Sequence, residues 1–330
     1  MTVIIALAAI LILMVLAGLG GQVPALQVVF GVVVPYAALG LFLGGFVYRV
    51  LKWALTPVPF RIPTTCGQQR SLAWIPPSKL DNPHSTLGVV GRMALEVLFF
   101  RSLFRNTRVE IRPGGNVVHS PNKWLWVFGL VFHWSFLVIL LRHLRFFTEP
   151  VPAFVNKIQS VDGFFEIGLP VTYATSFLLL AALGFLLLRR LFSPTLRYIS
   201  LANDYFPLLL LLSIGATGIL LRHFSKTDVS KVKEMALGIL SLDPVQFDGA
   251  APLFTIHFFL VCVLFAVFPF SKLMHMAGVF MSPTRNLANS NRRKHHVNPW
   301  RSPADVHSYG EYEDEFRDKM KAAGIPVEKE

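Results

Sequence analysis

The stretch LFTIHFFLVCVLFAVFPFSKLMHMAGVFM, Leu253–Met281, decides how this chain folds. It is almost wholly apolar, and about 20 helical residues at 1.5 Å each cross the hydrocarbon of a bilayer, so it predicts a membrane span with residues to spare. His257 and His275 lie 18 positions apart. A helix that turns about 100° per residue returns both to one face, about 27 Å apart along the axis. Pro269 predicts a bend between them.

A second apolar stretch, Trp124–Phe147, carries another pair of histidines. His133 and His143 lie 10 positions apart, which is about 15 Å along a helix with the two faces turned by about 80°. If this helix runs antiparallel to the last one, His133 lies level with His275 and His143 lies level with His257. The sequence therefore predicts two pairs of facing imidazoles, one near each side of the membrane.

Paired imidazoles on facing helices are typical of axial ligands to haem iron. We therefore predict two haem b groups, one held by His133 and His275 and the other by His143 and His257. The chain has no C-x-x-C-H motif, so neither haem is expected to be covalently attached. A single histidine in a membrane helix is more often a packed or hydrogen-bonded group, and the prediction depends on four of them pairing by depth.

Composition identifies an integral membrane protein. The chain has 330 residues, is 53% hydrophobic and has a mean hydropathy of +0.54, values that soluble domains do not reach with repeated apolar runs of this length. The net charge of +12 comes from basic residues that flank the apolar runs, so it does not indicate nucleic-acid binding. Cys66 and Cys262 are too few and too far apart for a disulfide framework, a zinc site or an iron–sulfur cluster.

The predicted fold is an all-α integral membrane protein with six transmembrane helices. The six predicted spans are Thr2–Leu19, Ala25–Tyr48, Trp124–Phe147, Ile167–Leu188, Tyr205–Leu221 and Leu253–Met281. They divide the chain into an N-terminal transmembrane hairpin (1–48), a basic cytoplasmic loop (49–123), a di-haem four-helix bundle (124–281) and a cytoplasmic tail (282–330).

Charge at the span ends predicts the orientation. Residues 49–123 hold 11 Lys and Arg against 3 Asp and Glu, and positive charge near span ends marks the cytoplasmic side. Both termini are then cytoplasmic, in the cytoplasmic membrane of a bacterium or archaeon, with His133 and His275 on the inner side. Within the loop, Leu87–Phe104 is apolar but charged at Arg92 and Glu96, which predicts an amphipathic helix on the membrane surface or a docking surface. The tail is expected to order on a partner.

Five charged or titratable residues lie at helix ends near the histidines and are candidates for haem propionates or quinone: Arg142, Arg145, Arg222, His223 and Lys272. The alternatives are interfacial anchoring for the arginines and snorkelling for Lys272. His223 is also an alternative ligand in place of His143 or His257.

The spacing of the histidines resembles that of a known family. His257 with His275 and the segment FPFSKLMH, together with His133 and His143, resemble the cytochrome b (gamma) subunit of respiratory nitrate reductase over roughly residues 120–282. That resemblance implies four histidines that ligate two b haems in the pairing given above. The N-terminal hairpin and the long basic loop depart from it, because the nitrate reductase subunit has five spans.

Longer segments resemble the DsrM family, the cytochrome b subunits of the Dsr sulfite-reduction-associated membrane complex. They are Pro59–Pro76, Gly91–Thr107, Phe132–Pro152, Ser282–Trp300 and Tyr312–Pro326. The resemblance implies menaquinone as the lipid electron carrier and a cytoplasmic iron–sulfur partner similar to heterodisulfide reductase. It also implies a periplasmic multihaem cytochrome c, a periplasmic iron–sulfur subunit and a second membrane subunit.

The sequence thus predicts an electron-transfer subunit of a menaquinol-linked respiratory complex in dissimilatory sulfur metabolism. One alternative is a haem-containing cytochrome b subunit of a different complex, such as a nitrate reductase, hydrogenase or formate dehydrogenase. The other is a haem-free membrane anchor in which the histidines relay protons. The scarcity of Asp and Glu within the apolar runs disfavours a proton relay.

Overall fold

Among the residues that the structure describes, six helices are long and apolar enough to span a membrane, as predicted from the sequence. They are Thr2–Gly20, Pro24–Ala54, Lys123–Phe146, Ala174–Phe192, Ala202–His223 and Pro252–Phe270. The computed structural model describes residues 1–57, 70, 73–105, 107–166, 170–225, 227–245, 249–288 and 307–329.

The α-helices of the described ranges are numbered in chain order. They are α1 (Thr2–Gly20), α2 (Pro24–Val28), α3 (Val34–Ala54), α4 (Thr86–Phe99), α5 (Arg101–Phe104), α6 (Lys123–His143), α7 (Ala153–Asp162), α8 (Ala174–Phe192), α9 (Pro194–Ile199), α10 (Ala202–His223), α11 (Val229–Leu240), α12 (Pro252–Val267), α13 (His275–Gly278), α14 (Pro283–Asn286) and α15 (Tyr309–Ala322). A π-helical turn (Val29–Val33) joins α2 to α3, and 3₁₀ turns lie at Leu144–Phe146, Phe268–Phe270 and Lys272–Met274.

The strands form two small antiparallel hairpins. β1 (Thr107–Ile111) pairs with β2 (Val117–Pro121), and β3 (Gly163–Phe165) pairs with β4 (Thr172–Tyr173). Neither hairpin was predicted, because each is too short to show a clear alternation of apolar and polar residues.

The spanning helices pack against one another in a bundle. α6 packs on α8, α8 on α10 and α10 on α12, while α1 packs on both α10 and α12 and α3 packs on α12. The core of the bundle is apolar and includes Ile10, Leu183, Leu210 and Leu260, each at most 1% exposed. Side chains of both α6 and α12 pack against this core, so the helices that carry His133, His143 and His257 face a common interior.

The last span differs from its prediction as one helix over Leu253–Met281. α12 ends at Val267, and the chain continues through two 3₁₀ turns to α13. Pro269 has no N–H to continue the helical ladder, and Ser271 is extended, with φ −110° and ψ 177°. The Ser271 hydroxyl then accepts a hydrogen bond from the amide of Leu273, which starts the next turn. The bend predicted at Pro269 is therefore a full break.

The predicted helix over Leu87–Phe104 is also interrupted. It breaks at Phe100, whose φ of 51° and ψ of 48° are left-handed, and α4 and α5 lie on either side. Two indole N–H groups of α6 bind the last carbonyls of α4: Trp126 donates to Phe99 O at 2.7 Å, and Trp134 donates to Leu98 O at 3.1 Å. These two hydrogen bonds attach the end of α4 to α6. The charged residues Arg92 and Glu96 of α4 are buried.

The helix of the fourth span begins later than predicted, at Ala174, directly after β4. In the tail, Tyr309–Ala322 forms a helix. It begins at a capping box in which Ser308 and Glu311 bond each other's backbone amides.

Several sequence features lie outside the described residues. These are Cys66, the greater part of Pro59–Pro76 and the basic cluster Arg292, Arg293 and Lys294.

Candidate functional site

The break after α12 brings His275 next to His133. Their ring centroids are 5.9 Å apart, and the ring planes are at 85° to each other. Two imidazoles that bind opposite sides of one metal ion, with metal–nitrogen bonds of about 2 Å, have centroids about 6 Å apart. The observed separation therefore suits a shared metal ion. We call this part of the bundle the His275 end.

The other two histidines lie away from this pair, along α6 and α12. His257 is in the second turn of α12, His143 is the last residue of α6, and the two are within range of an electrostatic interaction. This part of the bundle is called the His143 end. The structure thus places His133 beside His275, and His143 within electrostatic range of His257, although the final helix is not continuous.

All four histidines use one ring nitrogen in a hydrogen bond to an acceptor. Three of them bond backbone carbonyl oxygens through Nδ1. The Nδ1–oxygen distance is 2.7 Å from His133 to Gly129, 2.7 Å from His143 to Ile139 and 2.8 Å from His275 to Lys272. Because a carbonyl oxygen only accepts, each Nδ1 carries the proton. The lone pair is then on Nε2, which is the arrangement that metal-binding histidines adopt.

His257 reaches the same tautomer through a side chain. Its Nδ1 lies 2.9 Å from the Thr217 hydroxyl, whose proton is directed to the carbonyl of Ser213 at 2.7 Å. The hydroxyl oxygen can therefore accept from His257 Nδ1–H. Gly218 makes room for the ring, since a Cβ at this position would lie 3.2 Å from His257 Cε1.

Aromatic side chains hold the ring of His133. The Phe100 and Phe132 rings each meet it edge to face at a centroid distance of 4.7 Å. Left-handed backbone is costly for a residue with a large side chain, and at Phe100 it places the ring on the histidine. Asp81 braces this segment through ion pairs with Arg101 and Arg105. Partial burial raises the pKa of Asp81, but the two arginines outweigh it and hold the pKa below its ordinary value.

A cavity of about 880 Å³ opens beside the pair at the His275 end. This volume lies within the range of small-molecule and cofactor sites. Both apolar and charged side chains line it. They are Arg49, Trp53, Glu96, Phe100, Ser102, Leu103, His133, Ser271, Lys272, Met274, His275, Gly278, Val279 and Arg285.

One ring of each pair is more exposed than its partner. His143 and His275 are exposed, whereas His133 and His257 are partly buried. An imidazole at membrane depth is costly when it faces hydrocarbon. A flat group bound between the two rings of each pair would cover the exposed ring, so the residues fit a haem at both ends.

Arg142 is engaged with protein groups at the His143 end. It is 7% exposed, its Nε lies 3.1 Å from an Asp162 carboxylate oxygen, and its guanidinium lies 3.7 Å from the centroid of the Tyr173 ring. Asp162 also accepts hydrogen bonds from the amide and hydroxyl of Thr175. These contacts tie α6, α7 and α8 together, which gives Arg142 a structural role beside its predicted one.

The other predicted binding residues also have protein partners or point elsewhere. Arg222 donates to Val171 O at 2.7 Å and lies 4.3 Å from the centroid of the Tyr173 ring, and Arg145 donates to Gln159. Lys272 pairs with Asp204. His223 lies five residues after Gly218, about 140° around α10 from the side that meets His257. This position favours His257 over His223 as the ligand.

Sequence reasoning missed three residues that the structure adds to the site: Arg49, Phe100 and Thr217. In the sequence Arg49 is only a basic residue directly after the second apolar run, but in the structure it lines the cavity. Phe100 was one of many aromatic residues, and nothing in the sequence predicts its backbone conformation. A hydroxyl within an apolar helix was the one available signal for Thr217, since such groups bond within the membrane.

Comparison with known proteins relates the chain to membrane cytochromes. Residues 95–291 match the family described as "Nitrate reductase gamma subunit". Two relatives carry the name "Hdr-like menaquinol oxidoreductase cytochrome b-like subunit". The one from Archaeoglobus fulgidus is 44% identical over 286 residues, 84% of this chain and 85% of the relative. The one from Archaeoglobus profundus is 44% identical over 275 residues, 81% of each chain.

A third relative shares a smaller region. The "Respiratory nitrate reductase 1 gamma chain" of Escherichia coli is 36% identical over 102 residues, which cover 28% of this chain and 45% of the relative.

Proposed function

This chain belongs to the nitrate reductase gamma subunit family, and on that basis we propose that it is the di-haem cytochrome b subunit of a menaquinol-linked respiratory complex. Four histidines carry the proposal. They form two pairs at opposite ends of the bundle, and each has an Nδ1 acceptor that leaves Nε2 available. His133 and His275 hold one haem b, and His143 and His257 hold the other. Each bound haem supplies a reversible one-electron iron couple.

The protein's own part is to orient the ligands and exclude water. The hydrogen bonds to Nδ1 fix both the tautomer and the direction of each ring. The apolar core between the two ends keeps water from the interior of the bundle. Two sites at different membrane depths then give electrons a route across the hydrocarbon layer.

Menaquinol is the proposed electron donor, because both extensive relatives are named as parts of a menaquinol oxidoreductase. Its oxidation releases two electrons and two protons. We assign this step to the His143 end, with the protons released outside the cell. The His275 end and both termini face the cytoplasm, which agrees with the basic residues that flank it.

An iron–sulfur subunit similar to heterodisulfide reductase is the proposed electron acceptor at the cytoplasmic face. The "Hdr-like" name of the two relatives supports it. The segments that resemble DsrM support the finer assignment to a Dsr complex of dissimilatory sulfur metabolism, with a periplasmic multihaem cytochrome c, a periplasmic iron–sulfur subunit and a second membrane subunit. A nitrate reductase partner is less well supported, since that relative matches only 28% of the chain.

Haem content of purified variants tests the proposal. A pyridine haemochrome assay with iron quantified per chain is expected to give two b haems for the wild type and one for His143→Ala or His275→Ala. Removing an axial ligand eliminates one site, whereas the other pair lies at a different membrane depth. His223→Ala is the matched control, and it is expected to keep both haems and to slow menaquinol-dependent reduction.

The same assay can contradict the proposal. Two intact haems in His143→Ala would refute the ligand assignment at that end. One haem in His223→Ala would make His223 a ligand. A wild type with no haem would return the histidines to a structural or proton-relay role.

A further inference from the structure

Arg49 presents an unpaired buried donor to the cavity at the His275 end. Its Nε is shielded from solvent and has no hydrogen-bond partner among the residues that the structure describes. The guanidinium lies 5.4 Å from the centroid of the Trp53 ring, one turn further along α3. A buried donor on a charged group is costly without an acceptor, so this atom is available to an anionic group in the cavity.

The other charged groups at the cavity limit what that group can be. Lys272 is paired with Asp204, and Glu96 accepts from the amide and hydroxyl of Ser102. Arg49 and Arg285 are not in ion pairs with any described residue, although both line the cavity. Two arginines are therefore available, and guanidinium groups bind carboxylates and phosphates in the bidentate manner.

We propose that Arg49 and Arg285 bind the two carboxylates of the haem held by His133 and His275. The inference rests on the proposed function. It assigns part of the site to α3, which lies outside the region that matches the family, residues 95–291. A haem b has two propionates, which equals the number of arginines that face the cavity without a carboxylate partner. The N-terminal spans are then part of the haem site.

The packing of α3 fixes Arg49 at this position. The Trp53 ring lies against the chain after the break, 3.6 Å from where a Cβ of Gly278 would be. One turn before Arg49, Gly45 meets Pro269, and a Cβ there would lie 2.7 Å from the proline Cβ. The break that places His275 is therefore the same segment against which Arg49 is held.

Haem release from variants tests this assignment. Haem is transferred from the purified full-length protein to an excess of apomyoglobin, and the two haems are distinguished by their rates of release. Arg49→Gln and Arg285→Gln are each expected to release the haem of the His133–His275 pair at least about tenfold faster, because each loses one charge-assisted hydrogen bond. The haem of the other pair is expected to keep its rate.

Two further variants serve as controls. Lys52→Gln removes a cation three residues from Arg49 that lies over Tyr48 and does not line the cavity, so it is expected to leave both rates unchanged. Arg49→Lys keeps the charge and is expected to recover part of the lost retention. The midpoint potential of the His275-end haem is expected to fall in Arg49→Gln and to be largely restored in Arg49→Lys, because a positive charge beside the haem favours the reduced iron.

Three outcomes would overturn the assignment. Unchanged haem release in both glutamine variants, with two haems in the wild type, would refute it and leave the proposed function intact. Loss of bound phospholipid phosphorus from Arg49→Gln, with haem release unchanged, would assign the arginine to a lipid phosphate. A wild type that lacks the haem of this pair would contradict the proposed function itself.

Discussion

The two ends of the bundle present arginines in opposite ways. At the His143 end, Arg142 and Arg222 both lie over the Tyr173 ring; Arg142 is in an ion pair with Asp162, and Arg222 donates to a backbone carbonyl. At the His275 end, Arg49 and Arg285 face a cavity of about 880 Å³ and have no ion-pair partner among the described residues. The arginines at the His143 end connect neighbouring helices, whereas those at the His275 end are available to bind an anionic group. The same residue type therefore has a structural role at one end and a binding role at the other.

The difference follows from what surrounds each pair of histidines. α6 continues without a break to His143 and meets α7 and β4, which supply Asp162 and Tyr173. At the opposite end, α12 stops at Val267 and the chain continues through two 3₁₀ turns to His275, which lies beside the cavity. The arginines at the first end thus have partners from neighbouring elements, whereas those at the second line a cavity.

The largest expected effect is a loss of stability when the buried ion pair at the His143 end is removed. Asp162→Ala leaves Arg142 buried without its counter-charge, which is expected to lower the free energy of unfolding by about 3–5 kcal/mol. Glu149→Ala is the matched control, because it removes a pair with Lys233 whose Glu149 side chain is 66% exposed, worth at most about 1 kcal/mol. Unfolding in mixed detergent micelles measures both, and equal losses would contradict a structural role for Arg142.

A smaller effect is expected from the ligand hydrogen bonds. Thr217→Val removes the acceptor of His257 Nδ1, and loss of such a supporting partner typically weakens metal binding by about 10–100-fold. Ser213→Ala on the same helix keeps its carbonyl and is the control. Haem release from the His143 end should be faster only in Thr217→Val. Equal rates in the two variants would show that the hydroxyl does not support the ligand.

The smallest effects come from two glycines that differ in their surroundings. Gly184 has open space where a Cβ would be, so Gly184→Ala is expected to raise the free energy of unfolding by about 0.5–1 kcal/mol through helix propensity. Gly218→Ala has the same propensity gain, but its Cβ would lie 3.2 Å from His257. Electron paramagnetic resonance of the low-spin haem should shift only in Gly218→Ala. An unshifted signal would mean that the ring has room to move.

The sequence alone determined the six apolar spans and predicted that the histidines pair. Hydropathy and the 1.5 Å rise of a helix are local quantities, so the apolar runs and the spacings of 18 and 10 residues contain this information. The last span is broken where one continuous helix was predicted. The ring centroids of His133 and His275 are nevertheless 5.9 Å apart, so these two residues are neighbours as predicted.

Only the tertiary structure decided which charged residues face the site. Arg49, Arg142 and Arg222 are all arginines at the ends of apolar helices, and their sequence contexts do not separate them. Their roles depend on groups far along the chain, such as the Val171 carbonyl, which lies 51 positions before Arg222. An arginine becomes structural when folding brings it a carboxylate or a carbonyl, and becomes a binding residue when folding leaves it facing a cavity.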